Sequence, residues 1–170
     1  MKTLVFDTSA LFNFGKRGEL EFLLEKLAEQ QILLITPEVA LETLEPENRV
    51  YYQKLVKKHF KLQKIEDVKV SLEELRHLVA TLGRGELSVI LIAMELNATA
   101  VLDDRVARQE AERLNVKLTG TLGILSESVT RGWCSDSQCI EILNRLHANK
   151  FRIRKPAEDE TFSQYISSLS

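Results

Sequence analysis

Five carboxylates in this chain stand where acidic side chains do chemistry. Asp7 directly follows the apolar run Thr3-Leu4-Val5-Phe6, and Asp103 and Asp104 directly follow the run Thr99 to Leu102. Glu42 lies in the segment TPEVALETL, and Glu86 opens the segment GELSVILIAMEL. If the first run and the Thr99–Leu102 run are neighbouring strands, Asp7 and Asp104 converge, with Glu86 entering from an adjacent helix. Several carboxylates within a few ångströms repel one another, and burial adds to the cost. A hard divalent cation, Mg²⁺ or Mn²⁺, relieves that repulsion because it prefers oxygen ligands. A cation held this way can generate hydroxide and neutralise charge on a phosphodiester in transit. The three histidines are scattered and the two cysteines stand five apart, which argues against zinc and suits a reducing cytoplasm.

Each acidic residue also has a plainer account. Asp7 and Asp104 both fit helix N-caps. Glu42 shares its segment with Glu38 and Glu45, as on a solvated face. Glu86 suits a helix dipole and Asp103 a turn. Singly none of them calls for chemistry; together they do, with Asp7, Asp103 and Asp104 at strand ends and Glu42 and Glu86 on the helices beside them. Ser9, Thr119 and Thr121 are hydroxyls placed to orient a carboxylate or a water from behind; turn and cap chemistry accounts for them equally.

The elements that must position these residues alternate along the chain. Thr3–Phe6 and Ile32–Ile35 read as buried strands. Between them, Leu20, Leu23, Leu24, Leu27 and Ala28 fall on one helical face. Thr36-Pro37 opens a helix with proline at its first position, and Pro46 ends it. A helix is expected from 48 to about 59, then an extended stretch over 61–65. Ser71 and Glu74 form a capping box for the next helix, and Gly83-Arg84-Gly85 breaks the chain. From Glu86 to Leu96 the chain is apolar nearly all round, the mark of a buried helix. The Thr99–Leu102 strand is followed by a helix to Leu114 and a strand over Val116–Leu118. Thr121 begins a helix closed by Gly132, and Ser135 with Gln138 caps a last long helix to about Asn149.

Short, fully apolar strands alternating with helices imply a parallel sheet covered on both faces. In such folds ligands bind beyond the carboxyl ends of the strands, where the acidic residues sit. The 170 residues, 44 % apolar and 28 % charged, suit one domain. Residues 1–150 would form its body and residues 151–170 a tail or short helix belonging to it. The net charge of −2 builds in no long-range attraction to a polyanion, so contacts to one must be local or through metal. No apolar run reaches the length of about 18 residues that spans a membrane, and MKTLVFDTSALF reads as a strand rather than a leader.

Taken in order, VFDTSAL, TPEVALETL, GRGELSVILIAMEL, AVLDDRVARQEAERLNV, TGTLGILSESVTRG and ILNRLHANKFRI resemble the PIN-domain family, and specifically its VapC-like toxin branch. The resemblance runs from residue 2 to about 153. It implies a PIN-like three-layer fold, with a mainly parallel sheet of about five strands, strand one central, between helices. It also implies a metal-dependent endoribonuclease, RNA as substrate, frequent homodimers and, for a toxin, an antitoxin protein that blocks the site. Asp7, Glu42, Glu86 and Asp104 carry over to the family's acidic site, with Asp7, Glu86 and Asp104 as metal ligands. The chain departs from the pattern in having Glu86 where Asp is commoner, a doubled Asp103-Asp104, and a long part past residue 135.

The expected activity is therefore metal-dependent hydrolysis of RNA. Arg84, Arg105, Arg108 and the pair Lys16-Arg17 are candidates for phosphate contacts, although a solvated surface explains any one of them. The rival readings are a PIN-like module that binds RNA or protein without cutting, and an aspartyl phosphatase. The second is disfavoured because Ser9 stands two residues after Asp7, where that chemistry calls for another Asp. The tail is expected to offer Phe162, Tyr165 and Ile166 to a homodimer surface.

Overall fold

The computed structural model describes residues 1–44 and 47–170. Pro46, expected to end the third helix, and Glu45 lie outside the described residues. Five strands form one sheet: β1 (Lys2–Phe6), β2 (Gln31–Ile35), β3 (Lys61–Leu62), β4 (Thr99–Val101) and β5 (Lys117–Thr119). Their order is β3-β2-β1-β4-β5, and every pairing is parallel. Among the described residues ten α-helices surround them: α1 (Thr8–Phe12), α2 (Glu21–Ala28), α3 (Pro37–Glu42), α4 (Arg49–His59), α5 (Leu72–Thr81), α6 (Arg84–Leu96), α7 (Arg105–Arg113), α8 (Thr121–Thr130), α9 (Asp136–Ala148) and α10 (Phe162–Ser168). This is the expected PIN-like three-layer α/β fold with strand one central.

The chain works outward from β1 to β3 on one side, then returns and works outward through β4 and β5 on the other. The crevice at that reversal lies between the carboxyl ends of β1 and β4. Phe6 pairs with Val101 in register, and the Asp7 N–H donates to the Val101 carbonyl at 3.1 Å, so the two acidic strand ends are adjacent. Leu4, Val5, Phe6, Ala100, Val101 and Leu102 are all buried, as strands covered on both faces must be. Phe6 packs edge-on against Phe14 and Phe60, with ring centroids 5.5 and 5.2 Å apart.

Several boundaries differ from the sequence reading, each for a local reason. The break expected over Gly83-Arg84-Gly85 falls at Leu82-Gly83, between the end of α5 and the start of α6 at Arg84, so Gly83 is the N-cap and Gly85 is helical. Ser71 caps α5 by accepting the Glu74 N–H at 3.1 Å, but the Glu74 carboxylate pairs with Arg113 instead of returning to Ser71. The strand expected at Val116–Leu118 is shifted by one residue, because Thr99 pairs with Lys117 and Val101 with Thr119. Between α1 and α2 the chain forms a π-helical turn, Asn13–Arg17, that periodicity did not announce.

The tail is a correction to the expected dimer surface. Phe162 and Tyr165 are 3 % and 0 % exposed, packed within the chain's own core. Asp136, in the first turn of α9, accepts the backbone N–H of Phe162 at 2.9 Å and that of Ser163 at 3.3 Å, which fastens the start of α10. The cysteines are both free and buried, with their sulfurs 3.2 Å apart. No helix among the described residues is long and apolar enough to cross a membrane.

Candidate metal centre

Asp7 occupies the N-cap position of α1 yet receives no capping hydrogen bond on its side chain. It is 3 % exposed, and burial is the main cause that pushes its carboxyl up to about 7. The backbone N–H groups of Thr8 and Ser9 oppose this, whereas the charges of Glu86 and Glu42 add to it. A cap alone does not account for a carboxylate held under these conditions.

Glu42 ends α3, which starts where Thr36 accepts the Val39 N–H at 3.2 Å and Pro37 supplies the first helical residue. Its carboxylate is the acceptor for the Thr8 hydroxyl and for the Gly85 N–H at 3.0 Å, so it spans the first turns of α1 and α6. Only glycine allows this approach: a Cβ on residue 85 would stand 2.6 Å from Glu42 Oε2. Glu86 accepts the Gly83 N–H at 3.0 Å through Oε2. Its carboxyl is raised, first by burial and then by the charges of Asp104 and Glu42.

The doubled aspartate divides into two environments. Asp104 is exposed and caps α7, its Oδ1 accepting the Ala107 N–H at 3.0 Å, and it acts on Glu86 through its charge. Asp103 turns toward β5 and α8. It accepts the Thr121 N–H at 2.8 Å, the Thr121 hydroxyl at 2.5 Å and Asn13 Nδ2 at 3.0 Å. Asp103 thus ties the strand end to α8 and the π-helical turn, and Thr121 is its partner rather than a lining group of the cleft.

Asp7, Thr8, Ser9, Glu42 and Glu86 line one open cleft of ≈ 300 Å³, walled also by Phe12, Arg17, Gly83 and Gly85. Thr119 and Arg108 lie elsewhere, around a separate hollow next to Phe151 and Ile153. The Arg108 guanidinium is already engaged with the Leu102 carbonyl at 2.8 Å. Arg84 and Arg105 are exposed at the first positions of α6 and α7. Of the cations named from sequence, Arg17 alone is among the residues lining the cleft. Sequence reading missed Thr8, Phe12, Asn13 and the close fit of Gly85; the GRGE run was the available signal for the last.

A hard divalent ion fits this donor set, since every candidate ligand is a carboxylate oxygen and, among the described residues, the buried Asp7 carboxylate has two acids as its charged influences. Among the described residues, however, no trio of these carboxylates has its oxygens within 4.8 Å of one another. The groupings that do are Glu21–Glu25–His59 and Glu74–His77–Glu110. Those two are held by Lys58 and Arg113 as ion pairs. The cleft therefore suits an ion that takes one or two carboxylates and keeps much of its water, as Mg²⁺ does.

No curated protein matches this sequence. Among solved structures, PAE2754 from Pyrobaculum aerophilum superposes with a TM-score of 0.53 at 17 % identity, over 76 % of this chain and 98 % of that one. A chain of VapBC2 from Rickettsia felis, solved bound to a DNA fragment from its promoter, gives a TM-score of 0.51 at 18 % identity, over 69 % and 98 %. At such identities these likenesses show the fold. The family described as DUF3368: PIN domain matches residues 3–166, nearly the whole chain including most of the tail, and the chain accordingly belongs to the PIN-domain family.

Proposed function

We propose that the protein is a metal-dependent endoribonuclease. The observation that carries this reading is Asp7: a carboxylate buried at the end of the central strand, sharing one cleft with Glu42 and Glu86 and raised by burial and by these two acids. When bound, Mg²⁺ or Mn²⁺ supplies hydroxide at neutral pH and neutralises charge on the phosphodiester. Asp7 and Glu86 would hold the ion from the cleft wall, and Asp104, the α7 cap outside that wall, would add its charge through Glu86. Asp7 gives up its proton more readily once a cation stands beside it. Glu42, fixed by Thr8 and Gly85, presents a carboxylate that orients water for attack. Membership of a family whose members are in general nucleases supports the same reading. The fold shared with VapBC2 supports a toxin paired with an antitoxin protein that covers the cleft.

A second reading has one observation in its favour. The carboxylates are not gathered closely enough to cage an ion, as a PIN-like module that binds RNA without cutting it would allow. A cleavage assay on mixed RNA separates the two. The wild type should cut in Mn²⁺ or Mg²⁺ and stop on chelation. Asp7→Asn, nearly isosteric, should keep the circular dichroism spectrum of the wild type and lose cleavage. Full activity in purified Asp7→Asn would remove Asp7 from the chemistry.

A further inference from the structure

The acidic cleft continues past Arg17. Phe12 and Arg17 wall it on one side and also wall a second, smaller hollow, completed by Lys16, Thr43, Asn48 and Tyr52. The two hollows are thus neighbours, sharing the Phe12–Arg17 wall between the carboxylates and the start of α4.

The π-helical turn Asn13–Arg17 builds this wall. Its Gly15 lies off the helical backbone, at φ −85 and ψ −122. A Cβ there would meet the Tyr52 ring at 2.6 Å, so the ring lies directly on the turn. The Lys16 N–H donates to the Tyr52 hydroxyl at 3.2 Å, and Tyr52 is 3 % exposed. The turn is therefore fixed to α4. The kink at Gly15 interrupts the helical row, so Lys16 and Arg17 leave the turn on a different line from α1.

Two cations are re-aimed here. The Arg17 guanidinium lies over the Phe12 ring, 5.4 Å from its centre, and the Lys16 ammonium lies over Tyr51 at 5.3 Å. Among the described residues neither pairs with a carboxylate, although Lys58, Arg113, Arg131, Arg145 and Arg154 all do. Asn48 and Tyr52 also line the hollow, and they belong to a segment, residues 48–65, with six Lys or Arg residues and no Asp or Glu, of which Lys58 pairs with Glu21 and Glu25. A ligand combining anionic groups with flat apolar faces matches this set. Phosphates find Arg17 and Lys16, and a base finds the Phe12 ring, which lines both hollows.

We propose that this hollow is the subsite for the single-stranded RNA flanking the bond to be cut. Arg17 and Lys16 are its phosphate contacts, and Tyr52 is the positioning residue that holds the turn. The proposal rests on the reading of the acidic cleft as an RNA-cleaving centre. It also answers a physical need: a polyanion brought to a cluster of carboxylates requires fixed positive charge beside it.

The test measures binding apart from cleavage. A fluorescently labelled single-stranded RNA of about twelve nucleotides is titrated in chelator at several salt concentrations, with fluorescence anisotropy as the readout. Arg17→Ala and Lys16→Ala should each weaken binding roughly five- to twentyfold, and each should lower the slope of log K against log salt by about 0.7. Arg17→Lys should keep the slope and recover part of the affinity, because the charge remains and the planar fork is lost. Lys69→Ala, whose ammonium pairs with Asp67 away from the cleft, should match the wild type. Unchanged affinity and slope in both alanine variants would overturn the subsite, whatever the wild type does in a cleavage assay. Weakened binding in both alanine variants, with a wild type that cuts nothing, would leave the subsite standing and remove the nuclease reading.

Discussion

Asp7 carries its charge at a disadvantage, and this makes the acidic site visible in stability as well as in activity. Its carboxyl is raised from an ordinary 3.8 to about 7 in the metal-free fold. The folded state therefore holds the proton more tightly than the unfolded chain does. Stability from this group is fully present below about pH 4 and is lost as pH rises through about 7. The loss is on the order of 4 kcal/mol, with Glu86 adding in the same direction. Carboxylates lowered by ion pairs, such as Glu21 and Glu110, act in the opposite sense, so the informative quantity is a difference. In chelator, the unfolding free energy of wild type minus that of Asp7→Asn should fall by a few kcal/mol between pH 4 and 7.5. Saturating Mn²⁺ should recover it above pH 7 in the wild type only. A flat difference curve would return Asp7 to the role of an ordinary cap. At this scale the sequence was informative where chemistry shows in residue type: Asp7, Glu42 and Glu86 lie on one cleft. It was uninformative about which oxygen goes where. Asp103 and Asp104 are chemically identical, and only the chain direction after β4 sends one to Thr121 and leaves the other at the α7 cap.

Elements bring these residues together through backbone approach, which composition records poorly. The order of strands and helices was legible because strands and helices differ in apolar periodicity. The π-helical turn was not, because its cause is a contact between Gly15 and Tyr52 far apart in sequence. The meeting of α3 with the start of α6 was equally hidden, although it fixes Glu42 through the Gly85 N–H. Gly85→Ala tests that meeting. A Cβ would stand 2.6 Å from Oε2 and 2.8 Å from Oε1 of Glu42. The obstructed group is the far end of a flexible side chain, so it can swing away at little cost. Alanine also favours the helix by about 0.5–1 kcal/mol over glycine. The variant should melt within about 3 °C of the wild type, while cleavage falls by roughly 10- to 100-fold because Glu42 is displaced by an ångström or more. Undiminished cleavage would mean that the Glu42 position against α6 has no part in the reaction.

At the scale of the whole molecule, the question is whether residues 151–170 belong to the cooperative unit or ride on it. The sequence showed an amphipathic tail without showing what it covers, since one apolar face suits a dimer partner and the chain's own core equally. The structure answers with α9. Tyr165 is fully buried and its hydroxyl donates to the Arg154 carbonyl at 2.7 Å. The Arg154 guanidinium lies 4.4 Å over the same ring and makes a two-pronged pair with Glu160, at 2.7 and 2.8 Å. Glu160 also accepts the Ala157 N–H at 2.9 Å, and these contacts hold its carboxyl down at about 2. The tail is thus closed on itself around Arg154 and anchored to α9 by Asp136. Tyr165→Ala should destabilise the protein by about 3–5 kcal/mol, the range for emptying a buried aromatic site. For a chain of this length that lowers the melting temperature by roughly 10 °C. Tyr165→Phe keeps the packing and gives up one hydrogen bond, so it should cost only about 1 kcal/mol. The two readings of the tail part on concentration. If α10 packs within its own chain, the loss in Tyr165→Ala is the same at every protein concentration. If α10 instead contributed to a dimer, the melting temperature of the wild type would rise with concentration and the variant would lose that dependence. A Tyr165→Ala protein that melts with the wild type would show the tail to be an appendage.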